Sequence, residues 1–97
     1  MSMNEEKYNG WTNYETWAAY IWMTSEEGTY KAWTQEARAA KEEAGDKLAA
    51  RGILAERMQE AIEENAPDLP ASLYSDLLGR AIGRIDFLEV AAAFLEE

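Results

Sequence analysis

The chain has 97 residues, 47% hydrophobic and 11% aromatic, with nineteen acids against nine bases and a net charge of −10. That is enough apolar material for one small domain, and the acidic excess disfavours direct contact with nucleic-acid phosphates, which need a basic surface. Cysteine and histidine are both missing, which excludes disulfides and thiolate metal sites and removes the commonest general base and transition-metal ligand.

An enzyme is therefore not expected, and neither is a metal or a cofactor. No apolar run approaches the ~18 residues that suggest a membrane span. The start, MSMNEEKYNG, lacks the basic and apolar regions of a signal peptide, so a cytoplasmic protein is expected. The acids are unevenly spread: residues 52–97 carry ten acids and three bases, against nine and six in residues 1–51.

Residues 1–10 read as a flexible tail and residues 11–97 as a single helical domain. Thr12-Asn13-Tyr14-Glu15 has capping-box spacing, with Thr12 as the cap and Glu15 reaching back to it. The helix that follows is predicted from about Asn13 to Met23. Tyr14, Trp17, Ala18 and Ile21 recur at i, i+3, i+4 and i+7, giving one inward face. On this reading Tyr14 and Trp17 fill the core. Trp11, ahead of the cap, and Tyr20, off the stripe, are then the candidate exposed aromatics for a partner.

Ser25-Glu26-Glu27-Gly28 predicts a turn, and a second helix starts near Thr29 with Tyr30, Trp33, Ala37 and Ala40 inward. Gly45-Asp46 either breaks that helix or is absorbed by it, and Arg51-Gly52 reads as the stronger stop. A third helix is predicted over about Ile53 to Glu64, with Leu54, Met58, Ala61 and Ile62 on one face and Glu56, Glu60, Glu63 and Glu64 on the other. Asn65-Ala66-Pro67 ends it. Leu73, Leu77, Leu78, Ala81 and Ile82 predict a fourth helix over about Ala71 to Ile82. Before the last helix, Asp86 is the cap, Glu89 reaches back, and Ile85 and Val90 form the hydrophobic staple. No segment alternates with period two. The expected fold is an all-α single domain of about five helices in a compact bundle.

The opening G-W-T-N-Y-E-T-W and the closing D-L-L-G-R-A-I-G-R-I-D-F-L-E-V-A together resemble a family of small proteins found largely in phages, prophages and other mobile elements. Asn13, Tyr14, Glu15, Thr16 and Trp17 match its opening pattern, close to N-Y-E-T-W-N-V. Asp76, Leu77, Leu78, Ala81, Asp86, Glu89 and Ala91 match its closing pattern, close to D-L-L-x-x-A-L-x-x-V-D/N-W-x-E-I-A. Ala18-Ala19 stands where that pattern has Asn-Val, and Phe87 where it has Trp. The resemblance implies a mobile-element setting and a small product acting on host machinery; it brings no catalytic residues with it.

Two surfaces compete for the functional role. Residues three and four apart on a helix have Cβ atoms about 5–6 Å apart, so Glu56, Glu60, Glu63 and Glu64 form a row of charge with a spacing not far from that of phosphates. Such a row is either a solvated face or an imitation of nucleic acid. Adjacent acids such as Glu42-Glu43 point about 100° apart on a helix and do not converge on one ion. Arg80 and Arg84, one turn apart, are expected to balance acids on neighbouring helices. With the resemblance, the row suggests a phage or mobile-element protein that binds and inhibits a host protein with a basic nucleic-acid-binding surface. It would act as a DNA mimic of the anti-CRISPR or anti-restriction kind. The alternative is a helical interaction or assembly module, monomeric or homodimeric, binding through Trp11 and Tyr20.

Overall fold

The computed structural model describes residues 7–96. Its helices are α1 (Tyr14–Ser25), α2 (Glu27–Ala44), α3 (Lys47–Asn65), α4 (Leu73–Arg84) and α5 (Phe87–Leu95). Among the described residues there is no strand, only a single bridge between Tyr8 and Trp11. The all-α domain of five helices is as expected. α3 packs between α2 and α5, α5 also reaches α1 and α2, and α4 rests on α1.

The core is built where small and large apolar residues meet. Ala37 and Ala40 of α2 and Ala50, Leu54, Ala55 and Met58 of α3 are buried against Phe87, Val90, Ala91, Phe94 and Leu95 of α5. The alanines keep the helix axes close, and Phe94, Leu54 and Met58 are among the largest fully buried side chains. Full burial of one such large side chain is worth about 1.5–3 kcal/mol. The predicted inner faces of the second and third helices hold, with Ala61 and Ile62 half-buried at the end of α3.

Gly45 and Asp46 divide α2 from α3. Gly45 takes the left-handed conformation at φ 84, and its N–H donates to the Lys41 carbonyl. The Asp46 carboxylate then accepts the Ala49 N–H at 2.8 Å, capping α3. A tight helical hairpin results, with each junction residue doing what its chemistry favours. The stop expected at Arg51-Gly52 is not there; both residues lie inside α3. An interior glycine costs about 1 kcal/mol relative to alanine, and the burial of Ala50 and Leu54 on either side offsets it. The turn after α1 is shorter than expected, since Glu26 alone separates α1 from α2. α4 begins two residues late, at a reciprocal cap between Ser72 and Ser75.

The first helix departs most from its predicted phase. Its buried residues are Thr16 and Met23, and Tyr20 packs against the core between them. Tyr14 and Ile21 are exposed, and Trp17 is only half-buried. α1 is apolar on nearly every side, so periodicity did not choose a face. A polar residue chose it instead. The Thr16 hydroxyl donates to Asn13 Oδ1 at 2.7 Å and accepts from the Asp86 N–H at 2.9 Å.

That contact joins the two sequence motifs. Asn13, not Thr12, caps α1, its Oδ1 accepting the Thr16 N–H at 2.9 Å. Asn13 Nδ2 also donates to the Arg84 carbonyl at 2.9 Å. The box expected between Thr12 and Glu15 does not form. Glu15 instead accepts from Arg84 Nε at 3.2 Å, and the Thr12 N–H donates to Glu89 Oε1 at 3.1 Å. Asp86 caps α5 as expected, accepting the Glu89 N–H at 3.2 Å. Glu89 does not reach back to Asp86, because Thr16 already satisfies the Asp86 N–H. Each helix start is thus capped locally and tied to the other by the residues left over.

Ahead of α1, Asn9 and Gly10 have positive φ values of 50 and 88. They form a tight turn closed by Tyr8 N–H to Trp11 carbonyl at 2.7 Å and Trp11 N–H to Tyr8 carbonyl at 2.8 Å. Within the tail expected over residues 1–10, the chain thus makes a hydrogen-bonded turn from Tyr8 onward, and residues 1–6 lie outside the described residues.

These caps set a direct test by urea unfolding. Asn13→Ala should cost about 1–2 kcal/mol, as loss of a helix cap does, and Thr16→Val about 1–3 kcal/mol, because it strands the Asp86 N–H. Thr12→Ala should stay within about 0.5 kcal/mol. A larger loss at Thr12 than at Asn13 would mean the cap is misassigned.

Candidate functional site

α2 and α3 run side by side and leave a trough between them. Ala32, Trp33, Gln35, Glu36, Ala39 and Glu43 line it from α2; Arg57, Glu60, Ala61 and Glu64 line it from α3. Of the four acids expected to form one row, all are exposed, but only Glu60 and Glu64 face the trough. Glu63 lies outside it and accepts from Gln59 Nε2 at 3.1 Å. Glu56, one turn before Glu60, also lies outside the lining. Glu36 and Glu43 take their place from the opposite wall.

Arg57 is the trough's only cation. Its guanidinium binds both oxygens of Glu43, at 2.8 and 2.9 Å, and reaches Glu36 at 3.4 Å. Hydrogen bonding to Glu43 raises the Arg57 pKa above its ordinary value, against a smaller opposing effect of desolvation. The group is a fixed positive charge in any case. Four carboxylates against one guanidinium leave the trough at −3. Glu60 and Glu64 have no ion-pair partner among the described residues. Elsewhere Glu96 is held by Lys47 at 3.3 Å, and Arg84 is held by Glu15.

One end of the trough opens into an apolar hollow. Ala19, Trp22, Met23, Thr29, Trp33, Ala61, Ile62 and Asn65 line it, so Trp33 and Ala61 belong to both. Trp22 stands at its rim, 75% exposed. A tryptophan left this far in water beside a hollow is the kind of residue that anchors protein interfaces.

Trp11 and Tyr20, the two aromatics expected to be exposed for a partner, are half-buried and packed against the core. Trp11 packs on Tyr20 with ring centroids 4.8 Å apart, and Tyr20 packs on Phe94 at 5.6 Å. With Tyr30 also on Phe94, they form a file of rings leading into the core. Tyr14 and Trp17, expected inside, sit instead with Tyr8 in an outer cluster with centroids 4.9–5.6 Å apart. The exchange follows from the phase of α1: turning Thr16 inward carries Tyr20 in and Tyr14 out.

Sequence reasoning missed Glu36, Glu43, Arg57 and Trp22. Glu36 and Glu43 are seven residues apart on one face of α2, which is legible. That this face meets α3 beside Arg57 is not. Among the described residues no helix is long and apolar enough to cross a membrane, and no three acids gather where a metal ion would fit.

Residues 4–90 match a family of unknown function (DUF7249), and the chain belongs to that family. No curated protein and no solved structure matches it.

Two substitutions probe the site without touching the core. Arg57→Gln should lower the melting temperature at low salt, since it leaves the trough with four carboxylates and no cation, and the deficit should shrink in high salt. Trp22→Ala should change stability by less than about 0.5 kcal/mol, as expected of a surface position. A large loss on Trp22→Ala would make that ring part of the core.

Proposed function

We propose that this chain is a non-catalytic, acidic binding protein of a phage or other mobile element, working in the cytoplasm of a bacterial host. It occupies the basic nucleic-acid-binding surface of a host protein, a component of a CRISPR or restriction system being the kind of target that fits. The observation that carries this reading is the α2–α3 trough, with Glu60 and Glu64 unpaired along a surface of net charge −3. A basic groove evolved to hold phosphates meets carboxylates there, and long-range attraction accelerates the encounter. The adjoining hollow at Trp22 and Trp33 supplies the apolar contact that charge alone lacks, because exposed ion pairs contribute only about 0–1 kcal/mol each.

A second reading rests on Trp22: an interaction module that binds mainly through the hollow, with the acids as a solvated rim. This reading places the contact at Trp22 and not around Trp11 and Tyr20, which are half-buried.

Capture of partners from a bacterial lysate separates the two. Under the first reading the retained protein is basic, is released by salt, and is displaced by duplex DNA. Glu60→Lys with Glu64→Lys turns the trough from −3 to +1 and should weaken retention by about tenfold or more at low salt, with the helical signal unchanged. Retention that resists salt and charge reversal but is lost with Trp22→Ala would favour the hollow over nucleic-acid mimicry.

A further inference from the structure

α4 has no buried residue. It rests on α1, its one substantial neighbour, through its half-buried side, which includes Ser75, Leu78 and Ile82. The apolar stripe of α4 is wider than that. Leu73, Tyr74 and Leu77 are 66%, 72% and 56% exposed, and α1 adds Tyr14 at 53% and Ile21 at 38%. Leu73, Leu77, Tyr14 and Ile21 have the spacing that marks residues for burial, yet with Tyr74 they are left in water on one packed pair of helices. If each side chain exposes roughly 150–200 Å² when fully free, the five leave on the order of 500 Å² of apolar surface. Homodimer interfaces are about 65% apolar, so this corresponds to roughly 800 Å² per partner, the size of a stable interface.

Charge says which partner fits. The chain carries −10, yet α1 and α4 together hold Glu15 and Asp76 against Arg80 and Arg84, a net charge of zero. Two copies of a strongly acidic chain repel each other wherever acids face acids. On this pair of helices they do not. Asp76 lies in the first turn of α4 and Arg80 one turn further on, while Arg84 at its end is held by Glu15, so two α4 helices set antiparallel place Asp76 against Arg80.

We propose that the α1–α4 face is the interface of a homodimer, with Leu73, Tyr74 and Leu77 of each copy at its centre. The inference is independent of what the acidic trough binds. It carries the opposite salt signature: screening removes the overall repulsion, so self-association tightens as salt rises, whereas binding through the trough weakens.

Sedimentation of the full chain from micromolar to near-millimolar concentration, at low and high salt, tests it. The expected result is a species of twice the chain mass, favoured by salt, and reduced to one chain mass by Leu73→Glu with Leu77→Glu while helical circular dichroism is retained. A wild-type chain that stays monomeric throughout overturns the proposal, as does a dimer that survives the double substitution. Should that variant fail to fold, single cysteines decide in a chain that has none of its own. A short bis-maleimide should link Tyr74→Cys copies and not Glu63→Cys copies, and the reverse pattern overturns the interface.

Discussion

The Thr16 hydroxyl lies where the starts of α1 and α5 touch, and it serves both. It donates to Asn13, the cap of α1, and accepts the N–H of Asp86, the cap of α5. A buried hydroxyl between two helix ends is costly unless both sides are satisfied, and here both are. The rest of the arrangement depends on it. Turning Thr16 inward sets the rotation of α1, which sends Tyr20 toward Phe94 and leaves Tyr14 outside. Glu89 is released to hold Thr12, and Asn13 is brought to the Arg84 carbonyl. The chain between α4 and α5 is thereby pinned to the start of α1.

That fixed frame divides the surface by charge. α2 and α3 form a hairpin whose open side is acidic, with Arg57 holding Glu36 and Glu43 while Glu60 and Glu64 remain unpaired. α1 and α4 form a second layer that is neutral and apolar. Trp22 of α1 stands at the rim of the hollow beside the acids, whereas the exposed Leu73, Tyr74 and Leu77 lie on α4 outside the trough, so the two surfaces suit different kinds of contact. One face attracts positive charge from a distance; the other is stable only against something apolar.

Helix positions were legible wherever a stripe was narrow and its ends were marked. α5 was read closely because Asp86 precedes a dense apolar run. The faces of α2 and α3 were read correctly because charged residues sit opposite Ala37, Ala40, Leu54 and Met58. α1 failed the same treatment because both of its faces are apolar, so a preference of a few tenths of a kcal/mol per residue had no contrast to act on. The cap was misplaced by one residue for a related reason. Thr12 and Asn13 are both competent caps, and what distinguishes them lies beyond the local sequence: Asn13 reaches the Arg84 carbonyl, while the Thr12 N–H is held by Glu89.

By itself the sequence determined the all-helical class, the lack of cysteine and histidine chemistry, the acidic third helix and the two motifs that turned out to meet. These rest on composition and local spacing, which each segment carries alone. Tertiary structure decided which Glu residues share a trough, which aromatics are core and which are surface, and where apolar residues remain uncovered. Each of these depends on the rotation of one helix against another. That rotation is set by contacts between residues as far apart as Thr16 and Asp86, and no local pattern records it.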